Sequence, residues 1–328
     1  MKKFTIIIGL SIIIPIILLI GVYVWTDPFK TLKSFSLHYF DDTNRDYLSS
    51  ELYLRNNPIY HYDSFIFGSS RAGGLNSYQW KQQLPDSAKQ FVFQGWSETI
   101  TGIKLKLEYI DEHGEKINNA LILLDVPGSF SEPQEPTKVL SIKHYKFSKQ
   151  PFFLYQFHLF SGFIKPSFIY KSIIDRNVDR YEWIGFDTIS NDWESTNRYR
   201  FSECPPKDSL KKCTKRTLDV FFKQISQIDS QKISKPIISK DKETILNKIK
   251  LILDKNNTTY KIVISPGYYL TNPAINPMDL NILYNIFGES NVYNYSGDNN
   301  LTHDYNNFSD PNHFGLHVGW HIIEALKK

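Results

Sequence analysis

Two short segments, far apart in the chain, carry the residue types of a nucleophilic triad. Phe65-Ile-Phe-Gly-Ser-Ser-Arg71 offers Ser69 and Ser70 directly after an apolar run, and Phe308-Ser-Asp-Pro-Asn-His-Phe314 offers Asp310 and His313 three residues apart. A serine hydroxyl attacks a carbonyl well only when a base removes its proton, and an imidazole does so best when a carboxylate holds its other nitrogen. Each segment alone is commonplace, because serine and aspartate are also good helix N-caps. The pairing of an early serine with a late Asp-x-x-His is what points to acyl chemistry.

For these groups to meet, the intervening chain must return both ends to one edge of a fold. Apolar runs bounded by turn residues predict strands at Ser64–Phe67, Phe91–Phe93, Ala120–Val126, Tyr260–Ser265 and Asn291–Tyr295. Between them the pattern predicts helices at Glu98–Ile117, Lys242–Lys255, Met278–Phe287 and Gly315–Leu326. Such alternation implies an α/β fold with a doubly wound, mostly parallel sheet whose ligands gather at the carboxyl ends of the strands. Gly68 then allows a tight turn after the first strand, and a serine opening a helix lies among unpaired N–H groups suited to an oxyanion. Gly95, at the end of the second strand, is a further backbone donor. Arg71 is expected either to bind an anionic substrate or to form a surface salt bridge.

The first 25 residues concern location. Phe4–Trp25 is an uncharged run of 22 residues, which at ~1.5 Å per residue reaches about 33 Å, the thickness of a bilayer core. Tyr23 and Trp25 suit the membrane interface. A cleaved signal peptide would carry a shorter apolar core ending in small residues, whereas no alanine precedes Ala72. The reading is therefore an uncleaved anchor at 1–25, a juxtamembrane connector at 26–62 with a helix over Asn44–Arg55, and a main domain at 63–328. That domain is interrupted at about 130–240 by a Phe-, Tyr-, Lys- and Ser-rich insertion or lid with a helix over Ser167–Arg176. Lys2 and Lys3 favour an inside amino terminus, against Lys30 and Lys33 beyond the run. Cys204 and Cys213 form a disulfide or remain two thiols according to compartment.

Net charge is +4 and the basic residues are dispersed, which excludes a nucleic-acid footprint. Aromatic residues make up 15% of the chain, enough for sugar-stacking surfaces, an aromatic core or a membrane-facing surface. His313, His317 and His321 recur every four residues, but the outer two lie ~12 Å apart along a helix, so the three do not share one metal ion. Gly68–Gly74 lacks the Gly-Lys-Ser/Thr ending of a P-loop. No cofactor or metal is expected.

Gly68-Ser69-Ser70, followed late by Asp310-x-x-His313, resembles the SGNH/GDSL hydrolase superfamily over about residues 60–328, the insertion excepted. That resemblance implies a flavodoxin-like sheet, Ser70 as nucleophile, Ser69 in the place of the family's aspartate, and an oxyanion held by the Ser70 and Gly95 N–H groups. The Gly-Ser-Ser variant, the amino-terminal anchor and Tyr295-Ser-Gly-Asp-Asn-Asn-Leu-Thr302 are similar to the DltD and alginate-acetylation branch. The branch implies a single-pass protein at the outer face of a bacterial cytoplasmic membrane. It also implies acyl transfer to, or ester hydrolysis on, a carbohydrate polymer beside a membrane-bound O-acyltransferase. A non-catalytic accessory of such a complex is the alternative. One departure stands out: the family's Gly-x-Asn-Asp block would fall near Leu124-Asp-Val-Pro-Gly128, where there is no asparagine.

Overall fold

The computed structural model describes residues 2–33, 44–131, 141–166, 169, 186–193 and 233–327. The chain forms two compact units, Met1–Asn44 with Gln134–Trp183, and Arg45–Pro133 with Ile184–Lys328. The longer helices are α1 (Lys2–Thr26), α2 (Arg45–Tyr60), α3 (Ile100–Glu112), α4 (Phe152–Phe163), α5 (Lys240–Lys255), α6 (Pro277–Phe287) and α7 (Leu316–Ala325).

The second unit is built on a five-stranded sheet of β1 (Ser64–Gly68), β2 (Gln90–Gln94), β3 (Asn119–Leu124), β4 (Thr259–Ile264) and β5 (Val292–Asn294). All four pairings are parallel and the spatial order is β2-β1-β3-β4-β5. The five expected strands therefore form, each within about a residue or two of its expected bounds. β1 and β3 are buried along their whole length, as parallel strands covered on both faces must be, which is why they read as unbroken apolar runs. In this strand order the chain reverses direction between β1 and β3, and the crevice opened there is where doubly wound sheets bind ligands.

The helices carry the complementary stripes. α3 buries Ile103, Leu107 and Ile110, and α5 buries Leu246, Ile249 and Leu253, spacings that place each set on one helix face. α3 is shorter than expected because Thr99 caps its start through Gly102 N–H at 3.4 Å and the chain leaves helical geometry at Gly114, with φ of +71°. Behind it, buried Lys106 pairs with Asp46 at 3.0 Å and with Glu98, tying α2 to α3. α2 also corrects the connector: it runs to Tyr60, and Leu48, Leu52 and Tyr53 are buried, with Tyr53 stacked on Phe93 at 5.2 Å. From Arg45 onward the segment belongs to the sheet unit.

Part of the insertion returns to protect the edge of β2. Ser190 C=O accepts the Val92 N–H at 2.9 Å, the Asn191 amide donates to Val92 C=O, and Asp192 accepts the Ser77 N–H at 2.8 Å. An uncovered strand edge is a template for unwanted pairing, and this segment removes it. Nearly all of the helix expected at Ser167–Arg176, with Cys204 and Cys213, lies outside the described residues.

In the first unit, α1 carries the apolar span Ile7–Thr26, of mean hydropathy 2.8 and almost entirely unburied, so this helix is long and apolar enough to cross a membrane. Below it, Asp27 accepts the N–H groups of Thr31 at 2.9 Å and Lys33 at 3.0 Å, which turns the chain sharply away from the helix axis.

Within the sheet unit α7 packs very closely. A Cβ on Gly319 would stand 1.9 Å from the Gly74 carbonyl oxygen. Gly319→Ala is therefore expected to destabilise the fold by about 1–3 kcal/mol through overpacking. Gly128→Ala, whose new Cβ meets nothing nearer than 3.5 Å, should be close to neutral. Chemical denaturation of both variants checks this, and equal midpoints would refute the close packing.

Candidate active site

β1 ends at Gly68, where φ is +156° and a side chain would meet Ala72 Cβ and the Leu123 carbonyl, both at 3.0 Å. Only glycine fits between these strand ends. The chain then enters a 3-10 turn over Ser70–Gly74 rather than an α-helix, with Ser69 as its N-cap accepting the Arg71 N–H at 3.1 Å. This separates the two serines. Ser69 is buried and its hydroxyl also donates to Asp125 Oδ2 at the end of β3, so it spans the crevice between β1 and β3. Ser70 is half-buried, and its Oγ lies 2.8 Å from His313 Nε2.

Asp310 and His313 lie on a tight hairpin rather than in an open loop. Phe308–Asp310 pairs antiparallel with His313–Phe314, and Asp310 stands opposite His313 across the Pro311-Asn312 turn. Asp310 Oδ1 accepts the N–H groups of Asn312 at 2.8 Å and His313 at 3.1 Å, the local bonding that aspartate favours in turns. Its Oδ2 lies 2.7 Å from His313 Nδ1. With Nδ1–H donated to the carboxylate, a neutral imidazole presents the Nε2 lone pair to the Ser70 hydroxyl. Burial pushes the Asp310 carboxyl up, but the hydrogen bond and charge of His313 and the two backbone N–H groups outweigh it and hold it below the usual aspartate value.

Arg71 corrects the expectation of a surface or substrate-facing cation. It is 8% exposed and points into the loop cluster. Its Nη2 donates to Asn272 at 2.8 Å and to Asn312 at 3.1 Å, and its Nε lies 3.7 Å from Asp125 Oδ1. Asn272, on the loop after β4, donates in turn to the Pro311 carbonyl at 2.8 Å, beside the Tyr268 N–H at 2.9 Å. One guanidinium thus joins the ends of β1 and β3, the loop after β4 and the hairpin that holds His313.

Gly95 is also corrected. Its N–H donates to the Gly68 carbonyl at 3.1 Å, which occupies it in joining two strand ends. The Ser70 N–H begins the 3-10 turn, where no preceding turn supplies an intrahelical acceptor, and remains the backbone donor beside the hydroxyl. The Asp125 carboxylate, at the end of β3, accepts from the Ser69 hydroxyl and offers no donor. His317 bonds Asn307 at 2.8 Å. Asp125, Asn272 and Asn312 were not singled out by the sequence. Asp125 alone had a signal, its place near the end of the third apolar run.

No protein-family model matches the chain, and no curated protein matches it significantly.

The two serines predict different losses. Ser69→Ala strips a buried carboxylate and a buried N–H of their partner and should cost about 1–3 kcal/mol. Ser70→Ala, at a half-buried position, should leave stability nearly unchanged, and denaturation midpoints separate the two. For Asp310 the folded pKa lies below the unfolded one, so its contribution is complete above about pH 4 and is lost as pH falls through the depressed value. The stability gap between the wild type and Asp310→Asn should therefore shrink on acidification. A gap that widened would reverse the sign.

Proposed function

We propose that this chain is a membrane-anchored, SGNH-like acyltransferase or esterase acting through Ser70, His313 and Asp310. The observation that carries the reading is the continuous run of contacts from the Ser70 hydroxyl through His313 to Asp310. As Ser70 Oγ attacks an acyl carbonyl, His313 Nε2 takes its proton and Asp310 stabilises the imidazolium. The Ser70 N–H faces the developing oxyanion, and His313 returns the proton to the departing alkoxide, leaving an ester on Ser70. A carbohydrate hydroxyl or water, deprotonated by the same imidazole, then attacks that ester and frees the serine.

Location and substrate rest on the sequence resemblance together with the apolar α1. They support a reading with the domain outside the cytoplasmic membrane, a cell-surface polymer as acceptor and a membrane-bound O-acyltransferase as the acyl source. A second reading, a non-catalytic accessory of the same machinery, draws on a specific observation. The Gly95 N–H is occupied and Asp125 replaces the side-chain donor, and a missing oxyanion donor costs on the order of 3 kcal/mol in transition-state binding.

A fluorophosphonate probe distinguishes the two. The enzyme reading expects labelling of the wild type, no labelling of Ser70→Ala, retained labelling of Ser69→Ala where it folds, and labelling slowed ~100-fold or more in His313→Gln. Unlabelled wild-type protein, or equal labelling of Ser70→Ala, would leave the accessory reading in place.

A further inference from the structure

We propose that α4 is a second membrane contact, lying in the interfacial layer where α1 leaves the bilayer; the inference rests on the reading of α1 as a spanning helix. The sequence of α4, Phe-Phe-Leu-Tyr-Gln-Phe-His-Leu-Phe-Ser-Gly-Phe, contains no acidic residue, lysine or arginine. Tyr155, Leu159 and Phe163 are fully buried and form its inner face. On the opposite side Phe153 is 74% exposed, Phe157 62% and Ile164, at its end, 44%. At ~100° per residue these three fall within about 40° of one another, so the outer face is a single apolar stripe.

The position of that stripe names its occupant. α4 is fastened to the last turns of α1: the Tyr23 ring lies 5.3 Å from both Phe160 and Phe163, and its hydroxyl donates to Gln156 at 2.8 Å. Gln156 donates onward to Thr31 Oγ1 at 3.1 Å, just below the anchor. On that end of α1, Val24 and Trp25 are themselves 51% and 57% exposed. The stripe is thus continuous with a surface suited to lipid, at the depth where aromatic side chains collect. A helix with one face packed on protein and an aromatic face turned outward is the pattern of a segment lying in the membrane plane. Lys146 and Lys149 precede it and Lys165 follows it, placements that suit anionic headgroups.

The test uses the full chain, carrying a benzoylphenylalanine photocrosslinker at Phe153, Phe157, Leu18 or Leu251, reconstituted into phosphatidylcholine/phosphatidylglycerol vesicles. Lipid adducts are expected at 153, 157 and 18, at least tenfold above those at 251, an exposed position on α5. Adducts at 18 but not at 153 or 157 would overturn the inference and leave the anchor standing. Absence of adducts at all three would remove the anchor reading as well. Products at 153 or 157 that join two polypeptides instead of lipid would make the stripe a protein contact and overturn the proposal.

Discussion

The contact on which the site depends is the seating of the Phe314 ring against the bare Cα of Gly74. A side chain at residue 74 would stand 2.3 Å from that ring, so the hairpin bearing His313 reaches the turn bearing Ser70 only because nothing projects between them. Phe314 and Phe308 are buried at the base of the hairpin, and their burial anchors the tip that carries Asp310 and His313. The close approach of Gly319 to the Gly74 carbonyl extends the same constraint into α7. Two glycines thereby help set the distance between a hydroxyl and an imidazole that are 243 residues apart.

Arg71 supplies the polar counterpart of that apolar seat. A buried cation is costly unless its charge is balanced and its hydrogen bonds are met. The carboxylate of Asp125 balances the charge, and two asparagine oxygens accept from one end of the guanidinium. Its planar fork matches several acceptors at fixed angles, which a lysine could not do. The network gains specificity more than stability: it holds Asn312, and so the Asp310 and His313 backbone on either side, in one arrangement relative to the turn that carries Ser70.

Much of this was legible in the sequence, and the parts that were not share a cause. Phe65-Ile-Phe67, Phe91-Val-Phe93 and Ala120–Leu124 declare buried parallel strands because both of their faces are apolar, and the order of Ser70, Asp310 and His313 predicts their convergence. Choosing between Ser69 and Ser70 needs a resemblance, since either serine can cap and either can attack; in the structure Ser69 is the cap of the 3-10 turn and Ser70 is the one that meets His313. The burial of Arg71 is not legible in the sequence because its partners lie 54, 201 and 241 residues away, where no periodicity reaches. Gly95 was misread because a backbone N–H leaves no trace of its acceptor in the sequence. α2 was read short because Asn56-Asn-Pro58 looks like a turn, yet the helix continues through Pro58. α4 is apolar on both faces, so its pattern has little amphipathic contrast and it was absorbed into the insertion.

In a hydrolase built on backbone and asparagine donors, water competes for the acyl-enzyme with whatever oxyanion stabilisation the site offers. The Asp125 carboxylate is committed to Ser69 and Arg71 and offers no donor, so an oxyanion in the proposed reaction would rely on the Ser70 N–H and on the positioning of the nucleophile. A site with fewer oxyanion donors is best served by an activated acyl donor and a bound acceptor hydroxyl, whose correct placement replaces part of the missing stabilisation. On the proposed reading, that balance would favour transfer over hydrolysis. On the proposed reading, an anchor at the membrane would present a lipid-side acyl source and a surface polymer to the site together, supplying the proximity that such a site requires.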